Sequence, residues 1–164
     1  PAQTYTGKEL KPAVTVKYGD TTLVKDTDYT VEYSKNKNAG EAKVTVTGIG
    51  NYTGTKDAKF TIKQAKNPMT VKAQNKTLKV KALKKKAVSY TAITVKNAKE
   101  KVTYKAKPAN TKSKKALKFN QKNGKITVAK KTKKGTYKMT ITVTSGGTNY
   151  VKSTLAKTVK VVVK

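Results

Sequence analysis

Tyr137-Lys138-Met139-Thr140-Ile141-Thr142-Val143 alternates a large apolar side chain with a polar one at every step, and the same two-residue period recurs along the whole chain. Successive side chains of an extended strand point to opposite faces, so each such run buries one face and leaves the other in water. In the first 64 residues the inward sets read Val14, Val16, Tyr18; Tyr29, Val31, Tyr33; Ala42, Val44, Val46; and Ala58, Phe60, Ile62. Further on they read Leu78, Val80, Ala82; Ile93, Val95; Val102, Tyr104; Leu117, Phe119; Ile126, Val128; Tyr137, Met139, Ile141, Val143; and Val159, Val161, Val163. No comparable helical period is present. Tyr18-Gly19-Asp20, Asn36 to Gly40 and Gly48 to Asn51 supply turn residues that tolerate positive φ or bond their own backbone.

The 164 residues suffice for one ordinary domain or two small ones, and a change of composition near residue 65 favours two. Lys63-Gln64-Ala65-Lys66-Asn67-Pro68 breaks the alternation, and its proline drives the preceding residue to an extended conformation. A short linker is expected there, dividing the chain into 1–64 and 65–164. Seven alternating runs in about 100 residues match an immunoglobulin-like sandwich, and four in the first part match a small sandwich or barrel. The expected fold is therefore all-β: two tandem small immunoglobulin-like antiparallel β-sandwich domains. Only 35% of residues are hydrophobic, so the cores should be thin. Val44 to Tyr52 (VTVTGIGNY) is echoed by Ile141 to Tyr150 (ITVTSGGTNY), as if both parts close with the same hairpin around a Gly-rich loop carrying Asn-Tyr.

Charge is distributed very unevenly. The chain has 38 Lys, no Arg or His and eight acids, for a formal net charge of +30. Residues 1–64 hold ten Lys against seven acids, a balance of +3, and residues 65–164 hold 28 Lys against Glu100 alone, a balance of +27. A field of that size attracts polyanions and raises encounter rates at low salt. Nucleic acid is one polyanion to weigh, but the absence of Arg removes the commonest reader of guanine, and most aromatic residues sit at inward positions, so nucleic acid is not expected as a physiological partner.

Without His or Cys, neither Ser-His and Cys-His nucleophile pairs nor His-ligated zinc can form, and Glu100 has no second acid in its own part for carboxylate-pair chemistry. Asp20, Asp26 and Asp28 lack the glycine-punctuated acidic loop of an EF-hand. The reading is a non-enzymatic chain with no catalytic residue, cofactor or metal. Glu100 with a Lys and an Asn would be the ingredients of a self-formed Lys-Asn crosslink, but no motif for one is evident. No run of 18 apolar residues occurs, and Pro1-Ala2-Gln3 lacks the build of a signal peptide, as if the chain were an internal piece of something longer.

Asp26 to Tyr33 (DTDYTVEY), Asn36 to Gly40 and Val44 to Gly54 (VTVTGIGNYTG) resemble the bacterial immunoglobulin-like repeats of large extracellular proteins of Gram-positive bacteria. Leu83 to Ala87, Asn123 to Val128 and Lys133 to Lys138 leading into Val143 look like a companion module of such proteins. Together these resemblances cover roughly 4–62 and 76–163. They imply β-sandwich modules at the cell surface or in secreted proteins, spacing or anchoring adhesive and enzymatic domains of the same longer polypeptide, with no catalytic residues to carry over. The first module is short for a complete sandwich, which leaves open an N-terminal strand outside this chain. In that setting the polyanions to expect are anionic cell-wall polymers such as teichoic acids, acidic host glycans, or surface proteins.

Ten lysines form clusters in or beside expected loops: Lys84, Lys85 and Lys86; Lys112, Lys114 and Lys115; and Lys130, Lys131, Lys133 and Lys134. They read either as solvated charge that blunts sheet edges or as a polyanion surface, since several loops gather at each end of a sandwich. Tyr52 and Tyr150, each after an Asn in a Gly-rich loop, are either rings tucked over a sheet edge or glycan contacts. A carbohydrate-binding module attached to a secreted enzyme is the alternative function, and exposed aromatic side chains would be its mark.

Overall fold

The computed structural model describes residues 2–164, and it is all-β apart from two short helices. The chain divides into two compact units, one comprising residues up to Lys66 with Thr148–Val151, the other Asn67–Gly147 with Lys152–Lys164.

The first unit holds β1 (Gln3–Thr4), β2 (Lys17–Tyr18), β3 (Thr21–Thr22), β4 (Tyr29–Ser34), β5 (Gly40–Gly48) and β6 (Thr55–Lys63). Four of them form a sheet in the order β1-β6-β5-β4, with β1 parallel to β6 and the other pairs antiparallel. Alternation is realised in this sheet: Tyr29, Ala42, Val44, Phe60 and Ile62 are buried. Ala58, expected inward, is exposed. The expected first strand, Val14 to Tyr18, is also different, because only Lys17 and Tyr18 pair, in the small β2–β3 hairpin. Residues 5–16 instead form no ladder and are fixed by single bonds: Leu10 N–H donates to Asn36 O (2.8 Å), and the Tyr29 and Tyr33 hydroxyls donate to the carbonyls of Val14 and Pro12. Leu10 and Tyr5 pack on the core of Ala42, Phe60 and Ile62.

The second unit holds β7 (Thr70–Ala73), β8 (Lys76–Leu78), α1 (Val80–Leu83), β9 (Val88–Thr91), β10 (Ile93–Lys96), β11 (Thr103–Pro108), α2 (Thr111–Ala116), β12 (Leu117–Asn120), β13 (Lys125–Val128), β14 (Gly135–Ser145) and β15 (Ser153–Val163). One sheet has the order β11-β14-β15-β8, with β8 parallel to β15; a second has the order β12-β13-β9, and β10 pairs with β7. The β14–β15 ladder runs from Gly135 opposite Val163 to Ser145 opposite Ser153. Tyr137, Met139, Ile141, Val143, Val159, Val161 and Val163 line its inner face, and they meet Leu117, Ile126, Val128, Val71 and Ile93 in one core. Gly124 turns β12 into β13 at φ 68°, and a Cβ there would lie 2.7 Å from Ile93 O. Its own carbonyl accepts the Ala92 and Ile93 N–H groups, so glycine is required by approach as well as by dihedral.

Two expectations fail locally. Val80 and Ala82 do not continue a strand from Leu78 but lie in α1, with Leu83 fully buried; Val80 N–H donates to Lys164 O (2.7 Å), which closes the segment onto the end of β15. Lys112, Lys114 and Lys115, expected in or beside a loop, lie in α2, which Asn110 caps by accepting the Ser113 N–H (2.8 Å). Within the expected linker, Ala65 pairs with Tyr150 in an isolated bridge, and Asn67 is buried, its amide donating to Lys99 O and Ser145 Oγ. The other buried asparagine, Asn36, donates to Leu10 O.

Tyr90, on β9 opposite Ile126, keeps a buried hydroxyl with no hydrogen-bond partner, and burial pushes its pKa up to about 12. A folded pKa above the unfolded one means that stability is intact below the unfolded value, near 10, and is lost as pH rises toward about 12. Tyr90→Phe removes the orphaned group. Equilibrium denaturation should show a gain of about 1 kcal/mol near neutral pH and a shallower loss of stability in that alkaline window than the parent.

Candidate polyanion-binding site

Three lysine clusters distant in the chain are tied together by backbone hydrogen bonds. Lys131 N–H donates to Leu83 O (2.7 Å), which brings the turn carrying Lys84, Lys85 and Lys86 to the turn carrying Lys130 and Lys131. Ala129 N–H donates to Ala116 O (2.9 Å), which brings the end of α2 to the same place. Thr132 Oγ1 donates to Ala129 O (2.7 Å), and the Tyr137 hydroxyl to Lys133 O (2.7 Å), so the turn between β13 and β14 is held at both ends.

Five of the ten lysines, Lys112, Lys115, Lys130, Lys131 and Lys133, line one cleft of about 270 Å³ whose floor includes Ala116, Ala129 and Tyr137. Lys112 Nζ stands 5.2 Å from the centre of the Tyr137 ring, a cation-π contact that fixes one ammonium at the cleft wall. Lys131 adopts φ 61°, an unusual conformation for a residue with a Cβ, held by its bond to Leu83. Lys114 and Lys134 are exposed nearby without lining the cleft, and Lys84, Lys85 and Lys86 flank it through Leu83.

The electrostatic setting is one-sided. Glu100, the only acid of residues 65–164, precedes β11, whereas α2, which carries Lys112 and Lys115, follows it. In the first unit, by contrast, exposed pairs balance much of the charge: Lys11 with Glu9, Lys25 with Asp26, Lys43 with Asp57 and Lys59 with Glu41. The Lys43 ammonium beside Asp57 holds that carboxyl below its usual range. A groove of about 710 Å³ in that unit carries Glu9 and Glu32 with Lys11 and Lys25, a mixed lining with no net preference for anions. Among the described residues no group of three or more His, Cys, Asp or Glu is placed to hold a metal, and no helix is long and apolar enough to cross a membrane.

Removing the cap of α2 tests how the helix positions its lysines. Asn110→Ala should cost about 1 kcal/mol of stability, read by thermal or chemical unfolding, and should weaken anion binding at Lys112 and Lys115 without changing net charge.

The two candidate tyrosines are placed differently from one another. Tyr52 is half-buried in the loop between β5 and β6, its ring edge-on to Tyr18 at 5.8 Å; Tyr150, also half-buried, meets Tyr5 at 5.3 Å within the first unit. Tyr18 is the aromatic residue that periodicity misplaced: expected inward, it is 72% exposed. The signal was the Gly19-Asp20 turn directly after it, which ends the pleat and frees the ring.

No protein-family model and no curated protein matches this chain. Among solved structures, a human mucin-like protocadherin fragment (EC1-2) is similar with a TM-score of 0.47 at 9% identity, covering 99% of this chain and 94% of that one. Drosophila N-cadherin EC1-4 gives 0.47 at 13% identity, with 99% and 47% covered, and mouse protocadherin-24 EC1-3 gives 0.43 at 13%, with 99% and 61% covered. The chain thus spans about half of the N-cadherin fragment.

Proposed function

We propose that this chain is a non-enzymatic spacer and adhesion segment of an extracellular bacterial surface or secreted protein, built as tandem immunoglobulin-like modules, whose second unit holds anionic cell-wall polymer or acidic host glycan. The observation that carries this reading is the gathering of Lys112, Lys115, Lys130, Lys131 and Lys133 around one cleft, at the far end of β11 from Glu100. Lysine stems cover apolar surface while their ammonium groups stay hydrated, so the cleft is ready for anions without a buried-charge penalty. Ammonium groups act as point charges and lack the planar fork that arginine offers to phosphate. Such a surface grips by charge density and ignores the identity of the repeating unit.

Retention on immobilised teichoic acid and on heparin should fall by orders of magnitude between about 50 and 200 mM salt. Retention indifferent to ionic strength would remove the reading. Duplex DNA run in parallel should bind no better than the other polyanions at equal charge density, and a clear preference for DNA would favour a nucleic-acid function instead.

A further inference from the structure

We propose that a cleft in the first unit, between the β2–β3 hairpin and the loop joining β5 to β6, binds a neutral pyranose unit of a polysaccharide, with Tyr18 and Tyr52 as its stacking corner. This site is separate from the lysine cleft and does not depend on the net charge of the chain.

Tyr18 is the most exposed of the large apolar side chains, at 72%, and it sits on a two-residue strand where it supports no core. Tyr52 meets it with ring centres 5.8 Å apart and planes at 64°, so the two rings form an open corner and one face of Tyr18 stays in water. The cleft they border has a volume of about 320 Å³, at the lower end of the range for small-molecule sites. Its inner wall is apolar, with Leu23, Tyr29 and Val46, and its rim is polar, with Thr53, Thr55, Lys17 and Lys56.

The hydroxyls of Tyr29, Tyr33 and Tyr137 donate to backbone carbonyls, and that of Tyr90 is buried against the core of the second unit. Among the described residues, the hydroxyls of Tyr18, Tyr52, Thr53 and Thr55 have no such protein partner. An apolar corner ringed by unengaged hydroxyls and two ammonium groups matches a pyranose, which offers C–H bonds on one face and hydroxyls around its edge. An apolar peptide side chain would leave that rim unmatched, and an anion would leave the rings unused.

The corner is built before any ligand arrives. Leu23 N–H donates to Val16 O and Gly48 N–H to Gly54 O, each at 2.9 Å, which closes the two loops. A Cβ on Gly48 would stand 2.9 Å from the backbone carbon and oxygen of Tyr52, so glycine lets the Tyr52 loop fold back against β5.

The test uses the whole chain and three neutral probes, cellohexaose, maltohexaose and chitohexaose, followed by calorimetry and tyrosine fluorescence. At least one probe should bind, with an affinity unchanged between low and high salt. Tyr18→Ala, at an exposed hairpin position, should keep the melting temperature and lose at least about tenfold in affinity, while Tyr18→Trp should retain or improve it. Gly48→Ala, which displaces Tyr52, should also weaken binding, and a variant with the lysine cleft neutralised should bind the sugar normally. Absence of binding by all three probes, or binding unaffected by Tyr18→Ala, overturns the proposal; binding lost in the variant with the lysine cleft neutralised assigns the sugar to that cleft instead and overturns it as well.

Discussion

Changing Lys112, Lys115, Lys130, Lys131 and Lys133 together to Gln is expected to flatten the salt dependence of polyanion binding far more than removing five lysines elsewhere. If each of the five ammonium groups neutralises one anionic group, the duplex-DNA coefficient gives a slope of roughly −4.5 in log affinity against log salt, or about 500-fold between 50 and 200 mM. The variant should lose most of that slope. Its formal charge falls only from +30 to +25, so a protein that binds through its overall field would scarcely notice. The matched control is Lys105, Lys107, Lys118, Lys122 and Lys125 changed to Gln, exposed residues of β11, β12, β13 and their turns that do not line the cleft. Both variants carry the same charge and leave the core untouched. Isothermal titration with heparin or polyphosphate over a salt series reads the slopes. Equal losses in the two variants would show that position is irrelevant and would reduce the lysines to solvated surface charge.

The convergence behind that prediction was invisible along the chain, for a physical reason. Alternation reports on the nearest neighbours of a residue: Tyr137 to Val143 and Val159 to Val163 read as buried faces and are buried, because a sheet packed on one side must sort its side chains by parity. Which loops meet is decided by strand pairing, and the contacts Lys131 to Leu83 and Ala129 to Ala116 span separations that no local pattern encodes. The first unit shows the converse limit. Val14 and Val16 alternate with polar residues as a strand would, but alternation does not by itself form a ladder, and here single hydrogen bonds to Asn36, Tyr29 and Tyr33 replace one. α2, Thr111–Ala116, is too short to show a 3.6-residue period; only the Asn110 cap marks it in the sequence. Tyr18 faces water because the alternation of Val14 and Val16 ends at the Gly19-Asp20 turn.

Leu83→Ala is expected to be among the most costly single substitutions in the second unit and to separate stability from binding. Leu83 is fully buried at the end of α1, and its removal takes away the apolar contacts that hold this four-residue helix on the core. A helix so short has negligible stability of its own, so its position depends on that one anchor, the bond of Val80 to Lys164 and the bond from Lys131 to the Leu83 carbonyl. Leu-to-Ala changes in well-packed cores cost about 3–5 kcal/mol, including the cavity left behind. For a unit of this size, 3 kcal/mol corresponds to a fall in melting temperature of roughly 12–24 °C. Well below the new midpoint, Lys112, Lys115 and Tyr137 keep their own supports, Asn110 and the β14–β15 ladder, whereas Lys131 loses the fixed partner that holds it at positive φ. Polyanion affinity should therefore drop only several-fold at low temperature while stability collapses. Leu83→Met, which preserves volume, should restore most of both. A melting temperature unchanged in Leu83→Ala would mean that α1 is not anchored on the core, and the link between the first lysine cluster and the cleft would fall with it.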